Sequence, residues 1–154
     1  MQSDSRLIDD MAARSATRTF VARFTDVPEM TRFIEAFCVA HDTGGEDALR
    51  MTLVVEELVA NTILHGHRGE CDAPIAASLC ATAEGIELCY EDTAPRFDLT
   101  TALDKARAPL DDPEPEARPV GGLGLRLIAQ YTECVRHGYE NGRNRTCLRL
   151  RRPA

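Results

Sequence analysis

A two-layer α/β (α+β) sandwich, with a largely antiparallel mixed sheet and helices on one face, is the fold class the sequence predicts. Three observations predict it. Apolar periodicity switches along the chain in the order β-α-α-β-β-loop-α-β-β. Two of the strand pairs follow one another through short turns, which makes hairpins rather than parallel crossovers. The 154 residues, 44% of them hydrophobic, suit one domain with its own core, in which helices and hairpins cover a shared sheet. The domain is expected over residues 16–152, behind an N-terminal tail of residues 1–15.

Each element has a local reason. Residues 17–24, "TRTFVARF", alternate as a first strand. Thr25 or Asp26 then offers a cap, and Pro28 a first-turn proline, for a helix running to about His41. "DTGGED" breaks that helix, and a long one follows from Glu46 to about Gly66. "PIAASLCATAEGIELCYED" is two strands turning near Ala83, Glu84 and Gly85. From Thr100 to Pro119 the pattern dissolves. The four prolines there and the acidic run "DDPEPEAR" predict a mobile loop, and a long loop inside a compact domain is usually a lid over a site. "GGLGLRLIAQY" opens a last helix. "TECVRHGYENGRNRTCLRL" closes the chain as two strands joined at Asn141-Gly142, a strong tight-turn pair.

The formal net charge of −7 argues against a nucleic-acid partner, since such proteins usually carry a basic footprint. The one basic cluster, "RLRR", is explained by a solvated final strand. "MQSDSRLIDD" is charged from its start and has no apolar signal core, and no apolar run approaches the roughly 20 residues that cross a membrane. A soluble cytoplasmic protein without a membrane partner is expected. Six cysteines stand at 38, 71, 80, 89, 134 and 147, none as C-x-x-C and none near a matching histidine pair. They alternate with apolar residues and are expected to pack as small free hydrophobes. His65 and His67 make a poor metal pair, because i and i+2 on a helix face different ways.

Three constellations carry chemistry. Glu57, Asn61 and His65 recur every fourth residue on a helix that is otherwise apolar, so they form one narrow polar stripe. Flanked by Leu53, Val54, Leu58 and Leu64, that stripe is expected to be sheltered, where a carboxylate must be paired or used. Asn61 offers the neutral oxygen that Mg²⁺ accepts, and Glu57 could deprotonate a hydroxyl beside it. The plainer alternative, a stripe satisfied inside the fold, is the stronger one on spacing alone. Second, strand parity puts Asp92 on the apolar face of Ile86, Leu88 and Tyr90, where it needs donors such as an adenine amino group. Phe97 follows in the turn "TAPRFD" and is available as a pocket wall. Third comes "GGLGL", the residues Gly121, Gly122, Leu123, Gly124 and Leu125, at a helix start whose free N–H groups suit a phosphate. By itself a short Gly-x-Gly is more often a plain turn, and no P-loop lysine accompanies it.

Taken in order, these residues resemble the GHKL (Bergerat-fold) ATPases, specifically their anti-sigma regulatory factor serine/threonine kinase branch. The resemblance covers about Thr17 to Arg151. "VVEELVANTILHGH" is similar to the branch's Glu-to-Asn helix and "EDTAPRFD" to its adenine-binding turn. "GGLGLRLI" and "YENGRNRTCLRL" look like its phosphate-side glycines and closing hairpin. The resemblance implies a Bergerat ATP-binding fold and ATP or ADP with Mg²⁺ as cofactors. It implies Glu57 as general base, Asn61 as Mg²⁺ ligand and Asp92 as adenine reader. Gly122 and Gly124 would flank the phosphates, and residues 100–120 would be the lid. His65 and Gly66 would line the site at the helix end, and Thr146 would support Asp92. The implied partner is an anti-sigma factor antagonist, a small protein phosphorylated on serine or threonine. A sigma factor and a second copy of the chain are further expected partners.

Three residues depart from the family pattern. Ala94 replaces the usual glycine after the aspartate, where backbone freedom falls. Arg96 replaces a small residue or proline. Val120 stands where many relatives carry an arginine that helps neutralise the γ-phosphate. These departures leave a second expectation open, a catalytically weak, nucleotide-gated module that sequesters a sigma factor or another regulatory protein.

Overall fold

The computed structural model describes residues 14–107 and 122–151. Five strands, β1 (Ser15–Val21), β2 (Pro74–Thr82), β3 (Gly85–Asp92), β4 (Thr132–Glu140) and β5 (Arg143–Leu150), form one sheet in the order β1-β2-β3-β5-β4. All four pairings are antiparallel, so among the described residues the sheet is not mixed. Among the described residues four α-helices accompany it: α1 (Val27–Ala40), α2 (Gly45–Asn61), α3 (Leu99–Arg107) and α4 (Gly122–Tyr131). The two-layer α+β reading holds.

Strand parity sets up the core. In β3, Ile86, Leu88, Tyr90 and Asp92 are buried while the residues between them are partly exposed. The register pairs Leu88 with Leu148, Tyr90 with Thr146 and Asp92 with Asn144, which carries the same face onto β5. Met30 and Ile34 of α1, and Met51, Val54 and Val55 of α2, are fully buried against Ile75, Leu79, Leu88 and Leu148. Each such side chain contributes about 1.5–3 kcal/mol on leaving water. The closing hairpin turns at Asn141 (φ 53°) and Gly142 (φ 74°). Positive φ at both central residues is what a type I′ turn requires, and that turn matches the twist of the strands.

Four expectations are corrected. The helix predicted from Glu46 to Gly66 is α-helical only to Asn61, and Thr62–Gly66 winds on as a π-helical turn closed by His67 N–H to Thr62 O at 2.8 Å. Asp26 starts α1 without capping it; its Oδ2 accepts from the Val21 N–H at 2.9 Å and so ties the helix start to β1. Residues 100–107, expected as the first part of a mobile loop, belong to the helix Leu99–Arg107, in which Leu99 and Leu103 are buried four residues apart. Residues 108–120, the rest of the expected lid, lie outside the described residues. Last, Cys89 and Cys147, expected as free thiols, are joined across β3 and β5 in a disulfide, while Cys38, Cys71, Cys80 and Cys134 are free. No helix among the described residues is long and apolar enough to cross a membrane.

Candidate functional site

The helical face of β3 and β5 ends in polar residues, and there the helices part to leave a cleft. Leu58, Asn61, Thr62, His65, Tyr90, Asp92, Phe97, Asn144 and Thr146 are among the residues lining a cavity of about 210 Å³. A smaller one of about 120 Å³ adjoins it, lined by Glu57, Asn61, His65, Gly124 and Leu125 among others. Asn61 and His65 line both.

Asp92 is buried at one end, and three donors hold its carboxylate. Thr62 Oγ1 donates to Oδ2 at 2.8 Å, Asn144 Nδ2 to Oδ1 at 2.9 Å, and the Ala94 N–H to Oδ1 at 3.2 Å. An ionised carboxylate offers about four lone-pair sites, so room remains for one further donor from the cavity. Thr146, expected to support Asp92, bonds His137 Nδ1 at 3.2 Å instead, though it lines the same cavity. The supporting hydroxyl is that of Thr62. Asn144 also shares its amide N–H groups with Ala94 O and Pro95 O, and its Oδ1 accepts from the Phe97 N–H at 2.9 Å. One side chain thereby shapes the whole turn after Asp92.

Thr62 also bonds the Tyr90 hydroxyl at 2.7 Å. Burial pushes the Tyr90 phenol well above its ordinary value, with the Asp92 charge adding to the rise and the Thr62 bond opposing it. A phenol that stays protonated in the fold but ionises near pH 10 when unfolded makes the native state bind more protons in that range. Stability should be fully present below about pH 10 and fall above it. Tyr90→Phe is expected to flatten this alkaline loss, measured as denaturation midpoints from pH 8 to 11.

At the other end, Glu57 and Asn61 are half-buried and His65 is exposed. The stripe was expected to be sheltered throughout; it is not, because the i, i+4 periodicity that aligns it stops at Asn61, where the π turn begins. Among the described residues, no hydrogen bond or ion pair engages the side chains of Glu57, Asn61 or His65. Glu57 lies against the first turn of α4, so closely that a Cβ on Gly124 would collide with its Oε2. With glycine there, the carboxylate can stay where it lies; a larger residue would push it aside. Leu123 is exposed, Gly122 is the first residue of α4, and Gly121 lies outside the described residues. A half-buried carboxamide and a carboxylate without partners, beside a glycine at a helix N-terminus, fit a hard cation and phosphate oxygens.

Ala94 also finds a structural account. A Cβ on Gly66 would stand 2.7 Å from the Ala94 Cβ, so the methyl of Ala94 uses the space that Gly66 leaves. Gly66→Ala is expected to cost about 1–3 kcal/mol by overpacking. Adding Ala94→Gly should recover much of it, in a double-mutant cycle followed by chemical denaturation. Additive losses would mean that the two positions do not share the space.

Thr62, Tyr90 and Asn144 are the site residues that sequence reasoning missed. Parity from Thr146 puts Asn144 on the helical face, and that signal could have found it. Arg68, with φ 59°, and Arg96 bring two cations to the cavity rim.

A family model described as a histidine kinase-like ATPase domain matches residues 20–152. The chain belongs to the histidine kinase-like ATPase domain family. The match takes in every residue of the two cavities. Serine-protein kinase RsbW of Listeria monocytogenes EGD-e is 30% identical over 93 residues, which are 60% of this chain and 59% of that protein. RsbW of Listeria innocua is 27% identical over 92 residues, with the same shares of 60% and 59%. The anti-sigma F factor of Bacillus velezensis is 26% identical over 102 residues, 66% of this chain and 67% of that protein. The similarity thus spans 59% of the length of the two RsbW proteins.

Proposed function

We propose that this histidine kinase-like ATPase domain binds ATP with Mg²⁺ and phosphorylates a serine or threonine hydroxyl of an anti-sigma factor antagonist. The observation that carries the reading is the pair of unpartnered groups, Glu57 and Asn61, set in one cleft between buried Asp92 and Gly124. The names of the relatives, serine-protein kinase and anti-sigma F factor, support it.

The residues divide the work. Asp92, with its spare lone pair, accepts from an adenine amino group, and Phe97 walls that end of the cleft. Asn61 would hold Mg²⁺ through its carboxamide oxygen. Gly122 and Gly124 offer free N–H groups of the α4 start to phosphate oxygens. Bound Mg·ATP supplies the phosphoryl group and the cation that offsets its charge. Glu57, one turn from Asn61, accepts the proton of the attacking hydroxyl.

Saturating ATP with Mg²⁺ is expected to raise the melting temperature, since a ligand at 100 times its Kd stabilises by about 2.7 kcal/mol. ADP should do so as well, and chelating the metal should remove most of the gain. A melting temperature unmoved by either nucleotide would count against the whole reading. The Val120 departure favours a second reading, in which nucleotide binds but no phosphate moves and the protein sequesters a sigma factor. Labelled ATP with candidate antagonists separates the two: transfer supports the kinase, and binding without transfer supports the module.

A further inference from the structure

The face of the sheet away from the cleft carries its own chemistry. Glu87 and Cys89 alternate along β3, and Cys147 pairs with Cys89 from β5. The two sulfurs are bonded to each other. Their surroundings are unequal. Cys89 is partly exposed, whereas Cys147 is 0% exposed. Arg136, opposite Cys147 in the β4 register, brings Nη2 to 3.8 Å from Cys147 Sγ and 3.0 Å from Glu87 Oε1. The carboxylate orients the guanidinium, and the guanidinium stands beside one sulfur of the pair. Tyr90 and Thr146, the chain neighbours of the two cysteines, line the larger cavity, so this bond lies directly behind its wall.

We propose that Cys89–Cys147 is a thiol-exchange site for low-molecular-weight thiols, with Cys89 the sulfur attacked and Cys147 the leaving and resolving sulfur. A thiolate of the glutathione class attacks Cys89 Sγ and forms a mixed disulfide. The Cys89–Cys147 bond breaks, and its electron pair goes to Cys147, which departs as a thiolate beside Arg136. A second thiolate attacks the small-molecule sulfur, releases the oxidised small disulfide and leaves Cys89 reduced. Two electrons have passed from two external thiols to the protein. In the reverse direction, the Cys147 thiolate attacks the mixed disulfide at Cys89 and expels the small thiol. Access decides which sulfur is attacked, and a cation beside the leaving sulfur speeds its departure.

The test equilibrates the full chain in graded mixtures of reduced and oxidised glutathione, quenches with acid, alkylates, and maps the cysteines by mass spectrometry. In the wild type, the Cys89–Cys147 bond should open and reform as one two-electron couple while the protein stays folded by circular dichroism. Cys147→Ser should trap glutathione on Cys89, and Cys89→Ser should leave Cys147 unmodified. Cys147→Ala serves if a buried serine prevents folding. Arg136→Met should slow reduction several-fold. Three results would overturn the proposal: glutathione on Cys147 as readily as on Cys89, a bond that opens only when denaturant unfolds the chain, or cysteines that stay reduced at every ratio. An unchanged reduction rate in Arg136→Met would remove the arginine from the mechanism.

Discussion

Asp92→Ala is expected to lose about 1–3 kcal/mol of stability and to abolish nucleotide binding. The first number follows from the donors left behind. Thr62 Oγ1 keeps a second acceptor in Leu58 O at 3.0 Å, and Asn144 Nδ2 keeps Ala94 O and Pro95 O. The Ala94 N–H is left without its acceptor in the carboxylate, Oδ1 at 3.2 Å. Because unpaired buried donors cost about 1–3 kcal/mol each, the total depends on how many find those second acceptors. Equilibrium denaturation of the apo protein measures it.

Asp92→Asn separates folding from binding. Thr62 can turn its proton to Leu58 O and accept from the new amide, so the apo fold should stay within about 1 kcal/mol of the parent. The charged acceptor that an adenine amino group would meet is gone, however, and nucleotide affinity should fall by about 1–3 kcal/mol. Titration calorimetry on both variants decides the matter. If Asp92→Asn binds ATP as tightly as the parent, Asp92 is a structural residue of the turn and adenine lies elsewhere.

The parts of this site that were legible in the sequence are those fixed by local periodicity. Glu57 and Asn61 share a face because an α-helix returns every 3.6 residues, and Asp92 joins Tyr90 because a strand alternates. His65 fell outside that logic once the helix widened into a π turn, which no spacing rule announces. Contacts made by pairing distant strands were not legible either. Thr62 meets Asp92 across 30 residues, and Asn144 meets it across 52. Cys89 and Cys147 are 58 residues apart, and only the β3–β5 register makes them neighbours. Leu99 and Leu103 give an i, i+4 signal, but it spans one turn and stands beside four prolines and an acidic run. The hairpin at Asn141-Gly142 was readable because positive φ is a demand that few residues meet.

Glu57→Gln is expected to lower phosphate transfer by about 10²- to 10⁴-fold, the usual contribution of a general base. Glutamine keeps the length and shape that Gly124 accommodates, so the first turn of α4 need not move. It keeps a hydrogen-bonding group near Asn61 and loses the ability to accept a proton. Nucleotide affinity should change little, because the proposed adenine and metal contacts belong to Asp92 and Asn61. Asn61→Ala supplies the contrast: Mg²⁺-dependent binding and transfer should fall together there. A purely structural Glu57 forecasts the opposite pattern, a shifted melting temperature with transfer nearly intact, and that outcome would rule out the base. If the parent chain transfers no phosphate to any antagonist while binding Mg·ATP normally, the catalytic role of Glu57 lapses. The carboxylate under α4 would then matter for how nucleotide gates a partner, and Glu57→Gln would show its effect in partner affinity instead.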